Sequence, residues 1–160
     1  MPEFKLLITD GLAENGKAVL RGAVTVDDRP GISAADLLTS VADYDALIIK
    51  GRTRITPEIL DAASRLQVIG RAGVGVDNID LAAAKAHNVT VVNAPTSTTG
   101  AVAELSFGLL LALAREIPRA DAAMKSGAWL KKELEGVELN GKTLGVIGYG
   151  RIGMEMGKRA

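Results

Sequence analysis

The chain has 160 residues with Lys+Arg and Asp+Glu balanced at 19 each, so its formal net charge is zero and its pI is about 6.6. That balance, with only 3% aromatic residues, argues against electrostatic binding to nucleic acid or an anionic membrane and against base-stacking RNA modules. The absence of cysteine excludes a disulfide framework and thiolate metal sites, and hydrophobic content of 48% is ample for a packed core. No metal-ligating cluster is expected. The absence of cysteine also fits a cytoplasmic protein, and no signal peptide is visible where the N-terminus runs into a strand. The longest apolar stretch, Leu105 to Ala114, is interrupted by Ser106 and Gly108. It is well short of the ~20 residues a membrane span needs.

Short β-rich runs alternate with helical patterns. Lys5–Ile8 reads as the first strand, Leu12–Leu20 as a helix and Val24–Asp27 as the second strand. Ala34–Val41 is helical with Ser33 as N-cap, and Ala46–Ile49 is a buried third strand. Thr56-Pro57-Glu58 opens a helix to about Ala63, with a cap, a proline at the first position and an acid in the first turn. Val68–Gly70 is the fourth strand, Asp80 caps a helix to about His87, and Thr90–Val92 is the fifth strand. Such βα alternation predicts a parallel sheet covered on both faces.

The rhythm then changes. Gly100 to Arg115 reads as one helix, apolar nearly all round, which predicts burial on most faces. Pro118 bends or restarts it, and a second helical stretch runs from Ile117 to Ser126. Residues 128–141 form an irregular arm that ends in an Asn140-Gly141 turn. From Thr143 an apolar strand leads into Gly148-Tyr149-Gly150-Arg151-Ile152-Gly153, which opens a helix. That is the pattern of a dinucleotide-binding turn. Gly148 permits the tight turn, Gly150 lets the backbone approach a pyrophosphate, and Gly153 lets helix and strand pack closely. The acidic residue that would hold the ribose is expected about 20 residues further on, past Ala160. The sequence therefore reads as two domains, residues 1–99 and 100–160, the second being the opening of a nucleotide domain.

In open parallel sheets, ligands bind at the carboxyl ends of the strands. The loop after the fourth strand, Arg71-Ala72-Gly73-Val74-Gly75-Val76-Asp77-Asn78, offers backbone N–H groups with little side-chain obstruction, which suits a carboxylate. Lys50, Arg52 and Arg54, after the third strand, add positive charge for an anionic substrate. The plainer alternative is that these glycines serve tight turns and these cations are solvated. Asp10 stands where a response-regulator receiver has an acidic pocket. A receiver also needs an acid at the end of strand three and a lysine at the end of strand five, where this chain has Lys50-Gly51 and Asn93-Ala94. His87, the single histidine, falls at the carboxyl end of a helix, on the sheet edge opposite the ligand loops. No acid–base imidazole is expected at the site, and no catalytic residue is assigned in this chain.

The run Val68-Ile69-Gly70-Arg71-Ala72-Gly73-Val74-Gly75-Val76-Asp77-Asn78-Ile79-Asp80 resembles the signature of D-isomer-specific 2-hydroxyacid dehydrogenases. Val92-Asn93-Ala94-Pro95, Val102-Ala103-Glu104-Leu105, Gly127-x-Trp129 and Gly141-Lys142-Thr143-Leu144-Gly145 are similar in the same order. The resemblance implies an α/β chain, with a flavodoxin-like parallel-sheet substrate domain followed by the start of a Rossmann-type NAD-binding domain. It implies reversible hydride transfer between NAD and a D-2-hydroxy acid, with 3-phosphoglycerate, a precursor in serine biosynthesis, as the leading substrate. The oligomer implied is a homodimer or larger, assembled through the nucleotide domain. The resemblance further implies that Lys50, Gly51, Arg52, Gly73, Val74, Gly75 and Thr98 contact substrate. Val74, Gly148, Gly150, Arg151, Ile152 and Gly153 would contact cofactor. The catalytic Arg, Glu and His of the family would lie past Ala160, so the 160-residue chain alone is expected to be inactive. Lys50-Gly51 stands where members acting on phosphoglycerate commonly have Arg-Ser. That departure favours glyoxylate, hydroxypyruvate or lactate-type substrates by comparison. Two other readings are a non-catalytic small-acid binding module and a corepressor-like NAD-dependent dimer.

Overall fold

The computed structural model describes residues 4–160. The N-terminal residues 1–3, read above as leading into the first strand, lie outside it. The chain divides into two compact units, Met1–Ser97 and Thr98–Ala160.

The first unit is a five-stranded parallel sheet of β1 (Lys5–Ile8), β2 (Thr25–Asp28), β3 (Ala46–Ile49), β4 (Val68–Arg71) and β5 (Thr90–Asn93). Its order is β2-β1-β3-β4-β5, the flavodoxin-like order, which places the switch point between β1 and β3. The connecting helices are α1 (Glu14–Arg21), α2 (Ala34–Ser40), α3 (Pro57–Ala62) and α4 (Leu81–Ala86). Two local signals act as the sequence predicts. Ser33 Oγ accepts from the Asp36 N–H at the start of α2, and Asp80 accepts from the Ala83 N–H at the start of α4. Pro57 occupies the first turn of α3, although the Thr56 side chain makes no capping bond there.

Alternation along each strand fills both faces. Leu7, Leu47, Ile49 and Ile69 join Leu37, Ile59 and Leu60 under α2 and α3. Leu6, Ile8 and Ala46 face the other way, against Leu12, Leu20 and Val24 around α1. The amino edge of the sheet is tied by Asp45. Its carboxylate accepts the Lys5 N–H at 2.9 Å and a two-armed contact from Arg65, Nε to Oδ1 at 3.2 Å and Nη2 to Oδ2 at 2.8 Å.

The second unit holds α5 (Thr99–Ala114), α6 (Ile117–Lys125) and α7 (Arg151–Arg159). Glu116, in a left-handed conformation at φ 52°, separates α5 from α6 just before Pro118. α7 lies along α5, and Arg159 Nη2 reaches Glu104 at 3.1 Å.

Two expectations need correction here. Residues from Thr143 onward do not form a strand. A strand exists only as part of a hydrogen-bonded ladder, and the second unit has no neighbouring strand among the described residues to complete one. Nor is α5 buried on most faces. Only Ala103 is buried, while Leu105, Leu109 and Leu113 are 65%, 62% and 79% exposed. Its apolar residues lie on all sides, but only α6 and α7 pack on it among the described helices. No described helix is long and apolar enough to cross a membrane.

Candidate functional site

Parallel order and a central switch point bring the loops after β1, β3, β4 and β5 to one edge of the sheet. Asp10, two residues past β1, organises the first two of these loops. Its carboxylate accepts the Lys50 N–H at 2.7 Å and the Thr53 N–H at 3.1 Å, and lies 2.8 Å from the Thr53 hydroxyl. Arg52 donates to Asp10 through Nε at 3.2 Å and Nη2 at 3.1 Å, and to the Thr9 carbonyl at 2.9 Å. Burial pushes this carboxyl up, but the hydrogen bonds from Thr53, Lys50 and Arg52 outweigh it and hold it below its ordinary value. Asp45 is also held low, by the Lys5 N–H first and by Arg65, against the effect of burial.

The fold thus favours the ionised form of both acids. Their contribution to stability is present above the unfolded-chain value of 3.8 and is lost as pH falls through their lower folded values. Thermal unfolding should show little dependence on these groups from about pH 5 to 8 and a fall below about pH 4. Asp10→Asn should flatten part of that acid limb.

Engagement by Asp10 changes the expectation for Arg52. Its charge is matched by an internal carboxylate that is 4% exposed, so it builds the loop rather than standing as a free cation. Lys50 and Arg54 have no carboxylate partner among the described residues. Gly51 is exposed beside them.

The loop after β4 is clamped from both sides. Asn78 Nδ2 donates to the Lys50 and Thr53 carbonyls at 2.8 and 2.6 Å, joining this loop to the one after β3. Asn93 Nδ2 donates to the Val74 carbonyl at 2.6 Å, and the Ala94 N–H donates to the Gly73 carbonyl at 2.9 Å. The Gly73 N–H is used internally by the Arg71 carbonyl at 2.8 Å. The N–H groups of Val74 and Gly75 have no acceptor among the described residues. Gly73 is buried at a φ open to any residue, and a Cβ there would overlap the Arg71 guanidinium. The constraint at Gly73 is therefore a side chain rather than backbone strain. A cavity of about 610 Å³ lies against α2 and α3, but no residue of the 71–78 loop lines it. The anion-binding candidate is the open concavity of the β4 loop itself.

In the second unit, the glycine turn has the local geometry its spacing predicts. Gly148 adopts φ +89°, which a side chain rarely tolerates. Gly150 is the N-cap of α7, and a Cβ on it would meet nothing within 4 Å. Gly153 is buried, and a Cβ there would collide with the Gly148 carbonyl oxygen and lie 3.2 Å from Val146 Cγ1. In the first turn of α7, the backbone N–H groups of Ile152 and Gly153 lie beyond Gly150, where helical geometry supplies no acceptor. A turn with open space above Gly150 and close packing at Gly153 fits a dinucleotide pyrophosphate. Thr98 is in this unit as the N-cap of α5, with no capping bond from its side chain. His87 ends α4, and its Nε2 is 2.9 Å from Asp61 Oδ1 on α3, so it serves a helix-to-helix contact.

A family model described as D-isomer specific 2-hydroxyacid dehydrogenase, catalytic domain, matches residues 6–150. The chain belongs to this family. D-3-phosphoglycerate dehydrogenase of Methanocaldococcus jannaschii is 47% identical over 156 residues, covering 98% of this chain and 30% of that protein. The chain thus spans about a third of that relative's length. Among solved structures, the TT0316 protein from Thermus thermophilus matches with TM-score 0.87 and 35% identity, over 98% of this chain and 52% of that one. An acyclic imino acid reductase in complex with NADPH and D-Arg matches with TM-score 0.86 and 25% identity, over 98% and 52% of the two chains.

Sequence reading alone misses two kinds of residue. Asp10 reads only as a receiver acid, and Asn78 and Asn93 only as parts of motifs. All three hold loops by side-chain-to-backbone bonds across a long sequence separation. The available signal is an amide or carboxylate side chain at the carboxyl edge of the sheet, close to a glycine-rich segment that needs external support.

Proposed function

We propose that this chain is the substrate domain and the opening of the nucleotide domain of a longer NAD-dependent D-2-hydroxyacid dehydrogenase whose substrate is 3-phosphoglycerate. The observation that carries this reading is the β4 loop, where the unengaged N–H groups of Val74 and Gly75 stand at the carboxyl edge of the sheet. Two N–H donors held by Asn78 and Asn93 bind and orient the substrate's C1 carboxylate with no side-chain reorganisation. Val74 Cγ atoms, 39% exposed as a residue, offer the apolar surface against which a nicotinamide ring packs. Lys50 adds a point charge near the acid.

The turn at Gly148–Gly153 fits the cofactor's pyrophosphate, and the cofactor supplies the hydride acceptor or donor. In the oxidative direction, C2 of the hydroxy acid loses a hydride and its hydroxyl loses a proton, giving the 2-keto acid. The group that takes that proton is assigned to the remainder of the enzyme, because the only imidazole here, His87, is paired with Asp61 on the far edge of the sheet. The relative from Methanocaldococcus jannaschii supports phosphoglycerate as the substrate, and Lys50-Gly51 leaves unphosphorylated acids as the competing class. The test is turnover by the full-length enzyme. D-3-phosphoglycerate should be oxidised with NAD and its L-enantiomer should not. Equal rates with both enantiomers, or activity only on unphosphorylated acids, would contradict the assignment.

The exposed row Leu105, Leu109 and Leu113 on α5 supports a homodimer through this helix. The chain should sediment as a dimer or larger at high concentration, and Leu109→Glu should shift it toward monomer. A monomer across the whole concentration range would remove this reading.

A further inference from the structure

Asn15 and Asn140 are each followed by glycine, which shields its own backbone nitrogen least because it has no Cβ. The structure places the two pairs differently. Asn15-Gly16 lies inside α1, where helical dihedrals fix the backbone and the Gly16 N–H donates to Asn15 Oδ1 at 2.8 Å. Asn140-Gly141 is the centre of an exposed turn, closed by the Lys142 N–H on the Leu139 carbonyl at 3.0 Å, with Gly141 at φ +72°. Neither the Asn140 side chain nor the Gly141 N–H has a hydrogen-bond partner among the described residues. The amides of Asn78 and Asn93, by contrast, are committed to backbone carbonyls. The turn also stands at the head of the segment that leads to Gly148. Lys142, Leu144 and Val146 line one hollow with Gly157 and Ala160 at the end of α7. Val146 Cγ1 lies 3.2 Å from where a Gly153 Cβ would stand. The Leu139–Lys142 turn therefore sets where that segment begins its run along α7.

We propose that Asn140-Gly141 is a site of spontaneous deamidation whose isoaspartate product loosens the dinucleotide turn. Asparagine is among the thermally labile side chains, and here a free amide sits beside a free, unshielded peptide nitrogen. The Gly141 nitrogen gives its proton to base and attacks Asn140 Cγ. The Cγ–Nδ2 bond breaks, ammonia leaves, and a cyclic imide forms. Water then opens the imide. Addition at Cγ gives aspartate, and addition at the main-chain carbonyl gives isoaspartate, whose chain continues through Cβ and Cγ. No atom is oxidised or reduced, and water is the only co-reactant. The extra main-chain carbon of isoaspartate misaligns the Lys142 N–H with the Leu139 carbonyl and shifts the segment that follows. That consequence rests on the proposed cofactor site at Gly148–Gly153, whereas the chemistry at Asn140 does not.

The test ages the full-length enzyme in mildly alkaline buffer and reads each asparagine by peptide mass spectrometry and isoaspartate-specific methylation. Asn140 should convert at least about 10-fold faster than Asn15, and faster as pH rises. The fraction of enzyme that binds NADH with unaltered affinity should fall in step with the isoaspartate fraction. Equally aged Asn140→Gln should keep its NADH affinity within about 2-fold, because its longer side chain cyclises poorly. Asn140→Asp, which carries the new charge on an ordinary main chain, should also bind NADH within about 2-fold of the fresh enzyme. No conversion at Asn140, or equal conversion at Asn15, would overturn the modification site. Conversion with unchanged NADH affinity would overturn its coupling to the turn. If NADH leaves the Gly148–Gly153 amides of the fresh enzyme unmoved, the cofactor placement fails and the coupling with it, while conversion at Asn140 is read independently.

Discussion

Asp10→Ala should be among the most damaging polar substitutions in the first unit, lowering its stability by about 3 kcal/mol. The carboxylate is nearly inaccessible and gathers the Lys50 N–H, the Thr53 N–H and hydroxyl, and the Arg52 guanidinium. Removing it takes one shared acceptor from several donors at once and leaves the buried Thr53 hydroxyl with Thr9 alone. The damage should also reach the site, because Asn78 bonds the Lys50 and Thr53 carbonyls. Loosening the β3 loop therefore loosens one clamp on the β4 loop. Asp10→Asn should cost less, since one oxygen still accepts while the amide meets donors it cannot satisfy. Chemical denaturation of the three proteins checks the order. A loss below about 1 kcal/mol for Asp10→Ala would mean that this junction does not organise the edge.

Gly153→Val should abolish dinucleotide binding, with an affinity loss of at least about 100-fold. A Cβ there meets the Gly148 carbonyl and the Val146 side chain, so the turn must open before the helix can form its first bonds. Gly150→Ala separates ligand approach from folding. Its φ of −84° accepts alanine and its Cβ meets no protein atom, so thermal stability should be unchanged. Its methyl group nevertheless points into the space above the helix N-terminus, and NADH affinity should fall by about 10-fold. Titration of both variants with NADH, alongside thermal unfolding, distinguishes the two roles. Unchanged NADH affinity in Gly150→Ala would remove the turn from the cofactor site.

Much of the fold is legible in the sequence because its signals are local. Each strand is a short apolar run, β3 matches its reading residue for residue, and Ser33 and Asp80 cap the helices they precede. Boundaries elsewhere differ by a residue or two, as at β2 and α5, where end residues have no strong preference. The readings that fail depend on partners that a local pattern does not specify. The apolar run after Thr143 has strand composition but no neighbour to pair with among the described residues, and α5 has the composition of a buried helix with too few helices against it.

The candidate site divides the same way. Gly148, Gly150 and Gly153 are legible because glycine at fixed spacing has one physical use in a turn. The loop after β4 is legible as a concavity, but which of its N–H groups remain unengaged is not. Gly73 looks like a donor, yet its N–H bonds Arg71 within the loop, leaving Val74 and Gly75. Arg52 reads as a cation at the ligand edge, and its pairing with Asp10, 42 positions away in sequence, is not legible there. Charge pairing over such distances is a property of the fold and is invisible to composition.

The most direct test of the account is a pair of amide maps on the labelled full-length enzyme, one with D-3-phosphoglycerate and one with NADH. The account predicts that the acid moves the Val74 and Gly75 amides and that NADH moves those of Gly150 to Gly153. Perturbation by the acid confined to the cavity beside α2 and α3, or an NADH map that leaves the Gly148–Gly153 turn unmoved, would contradict it.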